Sequence, residues 1–200
     1  AWPASIHLGE DPGEAELLGH GTGPFAEMMD RVGIDWRWWT PPGSSPTAYL
    51  DGLGVLGPGL LLVHAVHLDD DDRRRIAARG APVCLCPRSN LHVGGVLPDV
   101  RALFAAGIGV CLGTDSLASS PDLDVLGEVP VLARAFPEVP VATWLDLATR
   151  AGAAALGAPR YGELRVGAAP GVVRLEVDDP RAIGEAAVAR RWEVRPWATR

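Results

Sequence analysis

Two histidines and an aspartate stand at the ends of three separate apolar runs in this 200-residue sequence. His7 closes the run that begins at Trp2, His64 ends Leu60-Leu61-Leu62-Val63, and Asp115 follows Ile108 to Leu112 in Gly113-Thr114-Asp115. Neutral imidazoles and a carboxylate around an open coordination position are what a metal-dependent hydrolase needs, because a water held there ionises near neutral pH. Glu10, three residues after His7, has the chemistry to carry a proton between such a water and a leaving amine. The alternative for Glu10 is an acidic residue at a helix N-terminus, since Asp11, Glu14 and Glu16 crowd the same place. Both readings stay open at this level.

Other reactive residue types carry less. His64-Ala65-Val66-His67 is not a two-histidine clamp, because residues three apart on a strand face opposite sides. His67 is expected to be a hydrogen-bonded neighbour near a helix start, and His20 and His92 show no usable spacing. Cys84 and Cys86 share one strand face, with Cys111 in the next strand, and read as small buried hydrophobes. Trp36, Trp38 and Trp39 precede Pro41-Pro42 in an aromatic connection. It could lid a flat ring, but packing of a long loop is the preferred reading.

The elements that must position these residues alternate. Strands are expected over 2–8, 60–64, 81–86 and 108–112. Helices are expected over 14–32 (interrupted at the glycines near 19–23), 46–53, 70–79, 99–106, 123–135 and 143–156. The helix after Asp69 is the best signalled: Asp69 caps it, Asp70 to Asp72 fill its first turn, and Gly80 stops it. Its Asp-Arg block reads as a solvated face. Four strand-helix units in series are the pattern of a parallel α/β architecture, and in a (β/α) barrel the C-terminal strand ends are where catalytic groups converge. After Gly157 the texture changes, with short strands expected at Tyr161 to Gly167 and Val172 to Val177.

Composition sets the outer bounds. Apolar residues make up 48% and charged residues 22%, as in an ordinary globular chain. The net charge of −7 carries no basic footprint for nucleic acid. No apolar stretch approaches the roughly 20 residues that span a bilayer. Three cysteines and no secretory leader point to a reducing, cytoplasmic setting. All eighteen basic residues are arginine, which reflects codon usage of a GC-rich genome and not chemistry.

Five segments occur in a fixed order: HLGE at 7–10, LVHAVHL at 62–68, CPRSN at 86–90, GTDSLAS at 113–119 and ATRAGAAALG at 148–157. Together they resemble the carboxyl-terminal half of the amidohydrolase superfamily, in its deaminase and chlorohydrolase branch. GELRVGAAPGVV at 162–173 resembles the return of such chains to a small β-sandwich, with Ala169-Pro170 where the family usually has Ala-Asp. The fold implied is α/β: the C-terminal half of a TIM-type (β/α)8 barrel over 1–157, then a short β element and tail over 158–200. The resemblance implies metal ligation by His7, Asp115 and His64. Glu10 would be the proton-shuttling acid, His64 would orient the hydrolytic water, and Asp115 would also be the base that takes the water proton. One divalent ion is implied, zinc first, with iron, manganese or nickel as alternatives.

The H-x-x-E spacing of His7 and Glu10 resembles adenosine-type deaminases, and CPRSN with WRWWTPPGSSPTAYL before it resembles aminodeoxyfutalosine deaminases. On that likeness Arg88 would sit at the rim and pair with a substrate carboxylate. The expected reaction is hydrolytic deamination of a 6-aminopurine nucleoside. The alternatives are a guanine deaminase or chlorohydrolase of the same fold, or a non-catalytic half-barrel subunit. The family's first-strand His-x-His is absent from these 200 residues, and four strand-helix units stand where a barrel has eight. The expected partners are therefore a small-molecule substrate and a missing N-terminal half-barrel in cis or in trans, with a second copy of the chain as a further candidate. The chain alone is expected to hold metal weakly, since two of the family's ligands are absent from it, and to be poorly soluble or self-associating, because two strand edges and an apolar helix face are left to cover.

Overall fold

The computed structural model describes residues 4–168, 172–179, 183–189 and 193–196. Along the chain come β1 (Ala4–Leu8), α1 (Gly13–His20), α2 (Pro24–Arg31), α3 (Pro46–Gly52), β2 (Leu60–His64) and α4 (Asp70–Arg79). Then follow β3 (Val83–Leu85), α5 (Pro87–Val93), α6 (Val100–Ala105) and β4 (Val110–Leu112). The remainder holds α7 (Val129–Ala135), α8 (Val141–Asp146), α9 (Gly152–Ala155), β5 (Val173–Glu176), α10 (Ile183–Ala189) and β6 (Glu193–Pro196). The chain divides into two compact units, Ala1–Val83 with Gly94–Gly109, and Cys84–Val93 with Val110–Arg200.

In the first unit β1 and β2 pair in parallel, from Ala4 opposite Leu60 to Leu8 opposite His64. The Leu62 N–H donates to the Pro82 carbonyl at 2.9 Å, and the Val83 N–H to the Gly109 carbonyl at 2.8 Å. The core around these strands is aliphatic: Leu8, Leu62, Ile76, Val83, Val100 and Leu103 are all buried. α4 starts and stops as expected. Asp69 accepts from the Asp72 N–H in a capping box, and Gly80 leaves in the left-handed region at φ 68°.

The expected solvated pairs of the Asp-Arg block form, Arg73–Asp70 and Arg74–Asp71 at i,i+3 and Arg75–Asp71 at i,i+4, but they are only part of what the block does. Asp72 is buried and accepts a 2.5 Å hydrogen bond from Ser45, the N-cap of α3. Arg75 and Arg79 both reach Asp51 on α3, at 3.1 and 2.6 Å. The block is thus an α3–α4 seam as well as a wet face. Its partners are remote in sequence, which is why local charge pattern did not reveal them.

In the second unit the Gly113 N–H donates to the Leu85 carbonyl at 3.1 Å, joining the ends of β3 and β4. The three cysteines are free and buried, as expected. The Cys84 and Cys111 thiols interact, and both are held well above the usual thiol range: Cys111 by its hydrogen bond with Cys84 and by burial, Cys84 by its Cys86 bond and burial, which outweigh a larger lowering from Cys111. Pro87 does more than close a strand: it opens α5, its ring suiting a first helical turn where an N–H partner is not required. The stretch expected as a helix from Thr143 to Leu156 is helical throughout, with a π-helical turn over Leu147–Ala151 between α8 and α9, and Trp144 fully buried.

β5 and β6 form an antiparallel pair, Val173 opposite Pro196 to Glu176 opposite Glu193. The expected strand at Tyr161 to Gly167 is overturned. Pro159–Tyr161 is a 3-10 turn, and bends and turns follow with Leu164 and Val166 almost wholly exposed. Two apolar side chains without a surface to cover cannot hold a half-buried strand. The Ala169-Pro170 departure lies outside the described residues. Among the described residues, no helix is long and apolar enough to cross a membrane.

Candidate functional site

His7 and His64 come together at the C-terminal ends of β1 and β2. Their register makes this meeting non-trivial. His7 lies opposite Val63 and His64 opposite Leu8, so regular alternation would send the two imidazoles to opposite faces of the sheet. His64 breaks the alternation with φ 77°, followed by Ala65 at φ 52°. Such left-handed conformations cost L-residues on the order of 1–3 kcal/mol each, and they concentrate at functional sites. The Ala65 N–H is held by the Leu8 carbonyl at 3.0 Å, which secures the bend.

The result is a tight group of donors. His7 Nδ1 and His64 Nε2 are 3.3 Å apart, with the rings edge to face at 80°. Glu10 Oε2 lies 3.6 Å from His7 Nδ1 and 3.5 Å from His64 Nε2. The His64 side chain is fully buried and that of His7 is 56% exposed, so the group opens on one side. Two nitrogens each about 2.0–2.1 Å from a tetrahedral zinc ion would sit roughly 3.3–3.4 Å from one another. The observed separation matches, so the donors present fit a divalent ion.

The acidic residues that crowd Glu10 in sequence have different partners. Asp11 accepts from the Gly13 N–H at 2.7 Å, and Glu14 accepts from the N–H groups of Gly9, Glu10 and Asp11. Asp11 and Glu14 thus bond backbone N–H groups around the start of α1, whose N-cap is Pro12, while the Glu10 carboxylate lies beside the imidazoles. Gly9 makes the turn at φ 59°, where an added Cβ would come within 3.1 Å of the His67 carbonyl oxygen. His67 itself is exposed and donates its backbone N–H to the Gly9 carbonyl at 2.8 Å.

Asp115 lies in the second unit, three residues beyond β4. Its Oδ2 accepts from Ser119 at 2.5 Å and from Ser89 at 3.0 Å, and the two hydroxyls are 2.8 Å apart. Sequence inspection singled out neither serine, nor Glu14. Ser89 and Ser119 stand inside the CPRSN and GTDSLAS segments, and Asp11 and Glu14 have capping-box spacing, so each carried a signal.

Arg88 is not at a rim. Its side chain is 8% exposed, and it donates through Nε to Glu128 at 2.6 Å, through Nη1 to Asp122 at 2.7 Å, and through Nη2 to the Asp124 carbonyl at 2.8 Å. Its backbone N–H also bonds Glu128, which is fully buried. Gly127 leaves space for the guanidinium, which a Cβ there would meet at 2.9 Å. In this chain the guanidinium is engaged by Glu128, Asp122 and the Asp124 carbonyl, as a structural anchor is.

The tryptophan connection also differs from a packed loop. Trp36, Trp38 and Trp39 line a cleft of about 470 Å³ with Phe25, Met29 and Glu14, and Trp38 is 80% exposed. Trp36 is held in place by its Nε1 bond to Asp30 at 2.8 Å and by Arg37 over its ring.

The Amidohydrolase family pattern matches residues 3–189, and the chain belongs to that family. Aminodeoxyfutalosine deaminase of Deinococcus radiodurans is 34% identical over 165 residues, 78% of this chain and 38% of that protein. 5-Methylthioadenosine/S-adenosylhomocysteine deaminase of Syntrophobacter fumaroxidans is 32% identical over 189 residues, 90% of this chain and 39% of that protein. The chain thus spans about two fifths of the length of these relatives. A zinc-bound adenosine deaminase from Xanthomonas campestris superposes with a TM-score of 0.71 at 27% identity, over 93% of this chain and 41% of that one.

Proposed function

We propose that this chain is the carboxyl-terminal portion of a zinc-dependent deaminase acting on a 6-aminopurine nucleoside, adenosine-like or aminodeoxyfutalosine. The observation that carries the reading is the meeting of His7, Glu10 and His64 within 3.6 Å, brought about by a backbone bend at His64. The deaminase names of the relatives and the zinc in the Xanthomonas campestris structure support it. Residues 1–157 would supply part of a barrel and 158–200 the return to a small β domain. The missing partner is an N-terminal half-barrel, in cis or in trans.

In this reading His7, His64 and Asp115 hold the ion. When bound, the ion supplies Lewis acidity that lowers the pKa of a water toward neutrality. Asp115, steadied by Ser89 and Ser119, takes the proton of the attacking water. His64, fixed by burial, orients that water toward the ring carbon bearing the amine. Glu10 delivers a proton to the departing nitrogen, so that ammonia leaves in place of an amide anion.

The test is ammonia release from adenosine, 5-methylthioadenosine and aminodeoxyfutalosine. The chain would be supplied with zinc and with the amino-terminal part of the Deinococcus radiodurans relative in trans. Release from at least one substrate is the expected result. A stable complex that is silent across the panel would overturn the substrate class; guanine deamination or triazine dechlorination would then favour the sister reactions.

A further inference from the structure

We infer that Glu14 is the positioning residue of the proton shuttle: its carboxylate grips the backbone that aims Glu10. The inference rests on the role proposed above for Glu10. The N-cap of α1 is Pro12, which has no N–H to offer, so none of the three bonds Glu14 accepts is a cap bond, and the one from the Asp11 N–H is the longest at 3.3 Å. The two short bonds go elsewhere. Oε2 takes the Gly9 N–H and Oε1 the Glu10 N–H, each at 2.7 Å. Hydrogen bonds to an ionised acceptor are roughly twice as strong as neutral ones.

The turn is held from its other side as well. The Gly9 carbonyl accepts from the N–H groups of Val66 at 3.0 Å and His67 at 2.8 Å, in the segment that follows His64. Residues 9 and 10 therefore cannot rotate without breaking bonds to α1 or to the end of β2. Glu10 reaches both imidazoles from a peptide fixed at both faces. Geometry to within about half an ångström is what proton transfer in a preorganised site requires. The same residue lines the tryptophan cleft, which places the clamp at the edge of an apolar surface.

Glu14→Gln tests this with little change of shape. The amide offers one accepting oxygen, and its NH2 would face a backbone N–H, so Gly9 or Glu10 loses its partner. In the full chain, hydrogen exchange followed by NMR is expected to speed up at least about tenfold at Gly9 or Glu10, as for loss of a charge-assisted bond. Asp11→Ala, which removes the acceptor of the Gly13 N–H at the start of α1, should leave those two amides protected. In the complemented enzyme Glu14→Gln should lower kcat by about tenfold or more, with KM and zinc content unchanged.

Unchanged exchange at Gly9 and Glu10 would overturn the clamp. Equal acceleration by both variants would make Glu14 a support of the α1 start only, and so would accelerated exchange with an unaltered kcat. Exchange is read without turnover, so a wild-type chain that releases no ammonia would sink the functional reading separately.

Discussion

Two clusters of charged and titratable side chains, one in each unit, look equivalent as sequence and behave as opposites in structure. Around Arg88 the donors meet Glu128 and Asp122 at 2.6 to 2.8 Å, and the arginine and Glu128 are buried. Burial pushes the Glu128 carboxyl up from its ordinary range, with the Arg88 bonds pulling the other way. Around His64 the same kinds of atoms stand 3.3 to 3.6 Å apart, with nitrogens and a carboxylate converging and one histidine half exposed. A cluster whose charges are mutually matched holds a fold together. One whose lone pairs converge is arranged for something brought in from outside.

The largest effect should separate the two clusters by activity. Glu10→Gln is expected to lower kcat of the complemented enzyme by about 10²–10⁴-fold, the usual range for losing a positioned acid, while the urea midpoint stays unchanged. A large loss of stability there would erase the distinction. Arg88→Ala should do the reverse. It leaves Glu128 buried and unpaired, at a cost of about 3–5 kcal/mol in urea unfolding. An Arg88→Ala chain of normal stability that had lost only substrate affinity would instead put Arg88 at the substrate.

The α3–α4 seam supplies a milder third case. Ser45→Ala removes the α3 cap and the partner of Asp72, at about 1 kcal/mol in the same unfolding measurement. The smallest effect is one of pH. Arg79 and then Arg75 hold the Asp51 carboxyl below the usual range in the folded chain. Its folded pKa lies under its unfolded value, so its contribution is present above about pH 4 and is lost as pH falls through the folded value. Asp51→Asn should therefore lower the neutral part of the stability profile slightly and flatten its acid limb, the two proteins converging at the acid end; an unchanged acid limb would remove Asp51 from the seam.

Much of this was legible in the sequence because it is local. Asp69 and Gly80 bracket α4 by capping chemistry, and the apolar runs ending in His7 and His64 mark β1 and β2. What was hidden depends on partners far along the chain. Arg88 looked available because Asp122 and Glu128 lie 34 and 40 residues away. The place of His64 at a strand end is visible in the sequence, yet its approach to His7 depends on a left-handed backbone that no residue type at 64 announces. Tyr161 to Gly167 has strand-like residues, but strand formation needs a surface to cover, and Val166 is fully exposed.

The most direct measurement is a zinc titration followed through the imidazole ring signals of the five histidines by nitrogen-15 NMR. His7 and His64 are expected to shift together as one ion binds, even weakly, while His20, His67 and His92 stay in place, and Arg88→Ala should not alter that pattern. Zinc that moves His20, His67 or His92 and leaves His7 and His64 untouched would contradict the assignment of the β1–β2 strand ends as the metal centre.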